Sequence, residues 1–405
     1  MKTLIERDDY RVPIRSWLPE DEIEPAAMAQ LENAARHPEA AEAVAVMPDC
    51  HVGYGVTIGC VFSTRDAVVP NAVGVDIGCG VCAVNTGLRY DRERMPKAFW
   101  RSWVGQVNRS VPSGFAVHQQ RQVLGPLDRP LRATQLQPLM KEKAAHQLGT
   151  LGGGNHFLEA QVDEDNRIWL MVHSGSRHLG LRIASHYQAL AVENSRKRNL
   201  KAGKDLESLP IDDQTGQDYI ADMAWATDFA LASRQQMTDR MVEGLRGSLV
   251  QAGLSHLADQ VAATEFINIH HNFAQIENHA SGSVMVHRKG ATSAYDGQLG
   301  IIPGSMGARS FIVRGRGNEA SLMSCSHGAG RRMARNAARK TISEAEFATS
   351  LEGTFSKASR NYIDEAPQAY KDVEIVIGRQ ADLVDIVHTL TPIVTVKGDS
   401  RARED

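Results

Sequence analysis

Apolar positions follow two rhythms along this chain, and the rhythm changes at identifiable points. Over residues 44–90, short runs of Val, Ile and Ala are broken by glycines, the pattern of buried strands joined by tight turns. A second strand-like run, RIWLMVHSGSRHLG, spans residues 167–180. The spacing then becomes helical. Residues 183–199 form one stretch and 217–249 another, separated by a break that contains Gly203, Pro210 and Gly216. In the second stretch Met237, Met241 and Leu245 recur every four residues on one helix face, and core packing accounts for that stripe. Glycines and β-formers return over 264–315, and 327–350 reads as helix again. Residues 110–140 are polar without a convincing period and predict a long loop or surface excursion.

No internal repeat, low-complexity tract or linker divides the chain, and its reactive-looking residues are spread from end to end. The pattern predicts an α/β fold of the mixed α+β kind, one intertwined domain over 1–405 with a helical excursion at about 183–250. At 405 residues, 42% hydrophobic and 23% charged, the composition is that of a soluble globular protein able to bury one large core or two smaller ones. No apolar run approaches the roughly eighteen residues of a membrane span. The N-terminus lacks the apolar stretch and cleavage site of a secretory signal, so a cytoplasmic location is expected. Five cysteines, an odd number in a long chain, argue against a disulfide framework. Cys79-x-x-Cys82 sits among glycines without a thioredoxin-like βαβ pattern, so it does not read as a redox motif. A formal net charge of −3 means that any nucleic-acid contact has to come from a local basic patch.

The chemistry lies in histidines set among glycines. Asp76 and Cys79 in GVDIGCG, His156 in GGGNHFLE, His173 in MVHSGSR, and His270 or His271 in INIHHN are candidate metal ligands. Any one of these histidines alone is more often a hydrogen-bonded core residue. Their joint appearance at strand ends beside a Cys and an Asp makes a shared site the better reading. A thiolate with imidazoles points towards zinc, whereas Mn2+ prefers harder oxygen ligands. One Cys, one Asp and three His could hold two ions with the sulfur bridging, a device that grips both oxygens of an in-line phosphoryl displacement.

A second feature is SCSHGAGRR at 324–332, where glycines follow a histidine and lead into the expected helix. That layout turns backbone N–H groups towards an anion, and histidine can attack phosphorus covalently. Taken alone, the segment reads more plainly as a helix start with a buried His327. Arg331, Arg335 and Arg339 are four apart and would share a face of that helix, beside Arg332 and Lys340. This row could neutralise RNA phosphates. Asn155 and Glu159 around His156, and the turn PGSMGARS at 303–310, could hold a nucleotide. Neither a P-loop ending in Gly-Lys-Ser/Thr nor a GxGxxG after a clear strand is present.

Ten segments together resemble the RtcB family of RNA-splicing ligases. They are MPDCHVGYG (47–55), GVDIGCG (74–80), LGTLGGGNHFLE (148–159), HSGSR (173–177), HHN (270–272), RKGAT (288–292), GIIPGSMG (300–307), SHGAGR (326–331), AYKD (369–372) and VKG (396–398). The resemblance implies one RtcB-like catalytic domain, with sheets around a central metal cleft and peripheral helices. It also implies a ligase that joins RNA 3′-phosphate or 2′,3′-cyclic phosphate ends to 5′-hydroxyl ends, using GTP and two Mn2+ ions, in tRNA splicing or RNA repair. Cys79 would bridge the two ions, with Asp76, His156, His173 and His271 as further ligands. His271 is taken over His270 because the family's ligand directly precedes an Asn, here Asn272. His327 would attack the α-phosphorus of GTP, with Asp49 close to it. Asn155, Glu159, Ser305, Ser310, Ala329, Gly330 and Lys397 match positions that hold the guanylate. Asn272, Pro303, Gly304, Met306 and Gly328 stand in the same motifs, and Tyr370 is the residue to stack on the base. Arg177, Arg331, Arg335 and Arg339 are the implied RNA contacts. Action as a monomer is expected, and the sequence leaves open an accessory activator of the archease kind, which some family members need.

The chain departs from the family pattern on the substrate side. Cys50 stands where an aliphatic residue is common, His178 follows HSGSR where Gly is usual, and RKGAT continues as Ser293-Ala294-Tyr295. These departures touch no metal or nucleotide position. They motivate an alternative, a metal-dependent RNA-end phosphodiesterase that opens cyclic ends without joining them. A third reading is a non-catalytic RNA-binding module on the same fold.

Overall fold

A computed structural model describes residues 3–398 of the chain. Two large sheets organise it. The first runs in the order Thr3–Ile5, Ile14–Ser16, Ala40–His51, Ile58–Thr64, Gly282–Lys289, Asn272–His279. The second runs Glu265–His270, Gly80–Arg89, Arg167–Ser174, Phe157–Val162, Val384–Lys397, Ser310–Gly315, Leu299–Ile302. Its neighbouring strands are all antiparallel, and it curls into a nearly closed barrel.

Both faces of this second sheet are covered, which explains why its strands read as unbroken apolar runs and not as an alternation. Val81, Ala83, Phe157, Trp169, Met171, Ile267, Ile312 and Leu390 fill the inside. Their sequence neighbours Cys82, Val84, Leu158, Leu170 and Val172 face outwards, against Trp100, Trp103, Met237, Met241 and Leu245. The stripe expected to be core is therefore core, with all three of its residues fully buried. It belongs to the 38-residue helix Gln214–Gln251, which backs the barrel beside Lys97–Ser110.

The other expected helix is Arg177–Lys197, beginning six residues before the apolar pattern announced it. Residues 111–133 are largely irregular, as predicted, but 110–140 is no surface excursion. Leu127, Leu131, Leu136 and Met140 pack against Leu179, Tyr187 and Trp225, and a helix begins at Gln137. The single helix expected over 327–350 is a correction. A short strand, Ser324–Ser326, is followed by turns, and helix starts only at Arg335. Gly330 takes a left-handed φ of 73°, and Ile342 is extended. A capping box of Ser343 and Glu346 then begins a separate helix, Glu344–Ser350. Arg331 thus lies outside the helix that carries Arg335 and Arg339. All five cysteines are buried free thiols, and among the described residues no helix is long and apolar enough to cross a membrane.

Candidate active site

The candidate metal ligands come together because of strand register. His270 pairs with Gly80, Gly80 with Ser174, and His173 with Phe157. Four adjacent strands therefore end at one edge, and Cys79, His173, His156 and His271 stand along it. The His271 N–H donates to the Cys79 carbonyl at 2.8 Å, which closes the row. Asp76 enters from the turn before Cys79, where Gly78 has a φ of 73°.

Cys79 Sγ lies 3.4 Å from His173 Nε2 and 3.5 Å from His156 Nε2, and that nitrogen lies 3.2 Å from Asp76 Oδ2. The atoms form two overlapping groups, Cys79–His173–His271 and Asp76–Cys79–His156, each with its donor atoms within 4.8 Å of one another. The thiol is common to both. Donor separations of this size are what bonds of about 2.0–2.3 Å to one ion impose. His156 Nδ1 faces the Leu151 carbonyl at 3.0 Å and so must carry its hydrogen, leaving Nε2 free to ligate. Of the two neighbouring histidines, His271 joins the cluster. The His270 ring turns away to stack edge-on against Phe273, 4.2 Å between centroids.

Electrostatics fits a cation. Burial holds His173 and His271 well below the usual imidazole range, with neighbouring positive charge adding to the effect, so both stay neutral with available lone pairs. Burial pushes the Cys79 thiol well up, and the charge of Asp76 pushes it further. Burial alone would also raise Asp76, but its contacts with His156 hold it below the ordinary carboxyl range. A thiol that ionises only with help, beside neutral imidazoles and an anionic carboxylate, is a donor set that a divalent cation completes.

Next to this cluster stands His327, its ring centroid 4.7 Å from that of His271. Its Nδ1 lies 2.7 Å from Oδ2 of the fully buried Asp49, which also accepts the His327 backbone N–H at 3.2 Å. A carboxylate at Nδ1 fixes the hydrogen there and leaves Nε2 with its lone pair exposed. Lys371 Nζ donates to the carbonyls on either side of Asp49, Pro48 O at 3.1 Å and Cys50 O at 2.6 Å. Two glycines of the quoted motifs permit this packing. A Cβ on Gly290 would lie 2.3 Å from an Ile58 methyl, and one on Gly330 would lie 2.1 Å from Asp49 O.

The metal cluster and His327 open into a cleft of about 620 Å³, ample for a nucleotide. Asn155, Glu159, Pro303, Gly304, Ser305 and Met306 line it, as do Gly328, Ala329, Gly330, Tyr370 and Lys397. Asn272 lines it too and ties its two halves, donating to Asp76 O at 3.0 Å and accepting from the Gly290 N–H at 2.9 Å. Ser310 lies behind the wall, accepting from Gly304 N at 3.2 Å and from Gln161 at 3.0 Å. Burial raises the Glu159 carboxyl to about 7, although Thr395, Gln161 and Lys397 all act to lower it. Thr395 donates to it at 2.5 Å.

The arginines are placed differently from an open basic row. Arg331, Arg335, Arg339 and Lys397 share two buried carboxylates, Asp364 and Glu365, at 2.7–3.3 Å. Burial would raise Glu365, but Lys397, Arg335 and Arg331 hold it at about 2. Four cations against two carboxylates leave this wall of the cleft positive. The Tyr370 hydroxyl donates to Glu365 at 2.8 Å, and the Arg331 guanidinium sits 4.8 Å over its ring. Arg177 is buried at the start of its helix, donating to Thr150 Oγ1 at 3.1 Å and Gly114 O at 2.9 Å. Sequence reasoning missed Asp364, Glu365 and Lys371. The acidic pair just before AYKD was the available signal.

A family model described as tRNA-splicing ligase RtcB matches residues 30–132 and 129–398. The RNA-splicing ligase RtcB of Escherichia coli strain K12 is 39% identical over 410 residues, covering 95% of this chain and 97% of that protein. The tRNA-splicing ligase RtcB of Nanoarchaeum equitans is 31% identical over 467 residues, with 96% and 95% covered. The RNA-splicing ligase RtcB of Mycobacterium bovis is 32% identical over 444 residues, with 91% and 100% covered. The matched segments contain every residue of the metal cluster and both members of the Asp49–His327 pair, and on this evidence the chain belongs to the RtcB family of RNA-splicing ligases, and is an enzyme.

Proposed function

We propose that this enzyme joins RNA 3′-phosphate or 2′,3′-cyclic phosphate ends to 5′-hydroxyl ends, by way of a guanylylated His327. The observation that carries the reading is the Asp49–His327 pair, 2.7 Å apart, which leaves Nε2 as a nucleophile beside the metal cluster. Asp76, Cys79 and His156 would hold one metal ion and Cys79, His173 and His271 a second; the family resemblance, and not the sulfur- and nitrogen-rich donor set, names them manganese. Bound there, the ions would offset charge on phosphoryl oxygens and lower the pKa of a bound water.

His327 Nε2 attacks the α-phosphorus of GTP, forming a P–N bond as the bond to pyrophosphate breaks. The imidazole becomes cationic in that adduct, and Asp49 stabilises it through Nδ1–H. An oxygen of the RNA 3′-phosphate, formed first by hydrolysis where the end is cyclic, then takes the guanylyl group and releases His327. Attack by the RNA 5′-hydroxyl on the activated phosphate forms the new ester and expels GMP. The positive wall of Arg331, Arg335, Arg339 and Lys397, with Arg177 also lining the cleft, supplies charge for triphosphate and RNA phosphates.

Incubation with α-labelled GTP and Mn2+ gives an acid-labile protein adduct, and supplying RNA with cyclic and 5′-hydroxyl ends gives joined product. Opening of cyclic ends without adduct or joining would replace this reading with the phosphodiesterase.

Glu159 supports guanine as the base. A carboxylate in the cleft wall accepts N–H donors, and the Watson–Crick edge of guanine presents N1–H and N2–H where adenine presents a ring acceptor. The carboxyl is raised to about 7, with Lys397 the cation acting on it. Its accepting form therefore grows as pH rises through about 7 and is lost below it. GTP affinity measured without metal is accordingly expected to rise across that window. Glu159→Gln is expected to flatten the profile and reduce the preference for GTP over ATP by roughly tenfold to a hundredfold, the range for hydrogen bonds to a charged group. An unchanged preference in this variant excludes Glu159 as the base-reading residue.

A further inference from the structure

Beneath the metal cluster the long helix Gln214–Gln251 carries a guanidinium that no carboxylate pairs. Arg234 is fully buried, and among the described residues it makes no ion pair. Its contacts are instead with backbone and an amide. Nη1 donates to Gly78 O at 2.8 Å and to Ser174 O at 2.9 Å, and Nε donates to Asn268 Oδ1 at 2.8 Å. Among the described residues its Nη2 has no hydrogen-bond partner. Asn268 is itself anchored to the same helix, its Nδ2 donating to Leu231 O at 3.0 Å.

The choice of acceptors is informative. Gly78 immediately precedes Cys79, and Ser174 immediately follows His173. Asn268 lies on the strand Glu265–His270, which delivers His271. One side chain thus ties together the three segments that carry one of the two ligand groups, Cys79–His173–His271. The helix also approaches Gly78 closely, since a Cβ there would lie 2.7 Å from Thr227 Cα. Of the second group, Cys79 is common and Asp76 lies on the same turn, its carbonyl accepting from Cys79 N at 3.1 Å, but the Asp76 carboxylate and His156 are positioned by other partners. Asp76 is held by Ser176 N at 3.1 Å, and His156 by Leu151 O at 3.0 Å.

Burying an unpaired cation is costly, and three charge-assisted hydrogen bonds offset part of that cost. The cation also repels a nearby divalent ion, so charge alone predicts that Arg234 weakens metal binding. Its contacts predict the reverse, because ligands already held in place lose little freedom when an ion binds.

We propose that Arg234 is the positioning residue for the ion bound by Cys79, His173 and His271, and sets the affinity of that ion separately from its neighbour's. This rests on the metal reading above.

The test uses the full chain, titrated with Mn2+ or Co2+ alone. Two backgrounds isolate the groups: His156→Ala leaves the group under Arg234, and His173→Ala leaves the other. In the first background Arg234→Met is expected to weaken binding about tenfold or more, the usual effect of losing a residue that orients ligands. It is also expected to diminish the near-ultraviolet sulfur-to-cobalt absorption. In the second background the change stays below about threefold. Arg234→Lys keeps the charge but cannot span three acceptors, so it follows Arg234→Met. Asn268→Ala weakens the same group to a smaller degree and serves where the arginine variants fail to fold. Unchanged or tighter binding in the first background, or equal weakening in both, overturns the proposal. Failure of the unsubstituted chain to bind either ion would instead overturn the metal reading itself.

Discussion

Replacing His327 with alanine is expected to abolish guanylylation of the protein and joining of RNA while leaving metal binding intact. The side chain forms no part of either ligand group, so its removal does not disturb the donor atoms. The imidazole packed against it, that of His271, belongs to the metal cluster. Loss of a covalent nucleophile that works in concert with its partners lowers turnover by about 10⁴-fold or more. Asp49→Asn is the informative companion. It keeps the shape of the buried side chain but lets the hydrogen at His327 move to the other ring nitrogen, and a change of this kind costs up to about 10⁴-fold in a catalytic triad. Both variants are read by labelled GTP transfer and by joined product. Opening of a 2′,3′-cyclic end is measured alongside and is expected to continue in His327→Ala, because in the proposed mechanism that step precedes transfer of the guanylyl group. An adduct of normal yield in His327→Ala would place the nucleophile elsewhere.

The second large effect concerns Cys79. Its sulfur is the only donor common to both groups, so Cys79→Ala is expected to remove both ions, whereas Asp76→Ala or His173→Ala removes chiefly one. Metal analysis after dialysis against Mn2+ should read about two, none and one ion per chain for the unsubstituted protein, Cys79→Ala and either single-group variant. Activity falls with both ions. Thermal stability without metal is expected to fall slightly, because burial and Asp76 keep the thiol neutral and the substitution loses a buried side chain in contact with His156 and His173. The rise in melting temperature on adding Mn2+ disappears with the site. Retention of two ions by Cys79→Ala would rule out the shared sulfur.

The barrel strands were legible because both of their faces are buried. Residues 167–174 therefore form a run of apolar side chains that local pattern detects. The Met237–Met241–Leu245 stripe was legible for the same reason on a helix, as its packing partners impose the four-residue spacing. The error over 327–350 has a local cause. Several residues there favour helix, but Gly330 at positive φ and the extended Ile342 break the segment, and Gly330 and Arg332 are bonded instead to Lys371 and Ala369, the Lys371 N–H donating to Gly330 O at 2.9 Å and the Arg332 N–H to Ala369 O at 3.0 Å. The shared helix face of the arginine row failed with it, since Arg331 lies outside the helix, and the three arginines are instead gathered by Asp364 and Glu365.

By itself the sequence determined which atoms are available: the thiol, the carboxylates, the imidazoles, and the glycines without which Asp49 and His327 could not approach so closely. It also identified the family through short motifs that survive as contiguous text. Tertiary structure decided how those atoms meet. Convergence of Cys79, His156, His173 and His271 depends on the strands Gly80–Arg89 and Glu265–His270, far apart in sequence, pairing with each other and with the hairpin of Phe157–Val162 and Arg167–Ser174, and register between distant strands leaves no local periodicity to read. The same is true of the contact between Asp49 and His327, 278 positions apart, and of Arg234, an apparently ordinary helix residue whose partners all lie on other segments. Side-chain chemistry is a property of residues, but a shared site is a property of distances, and only the folded chain sets those.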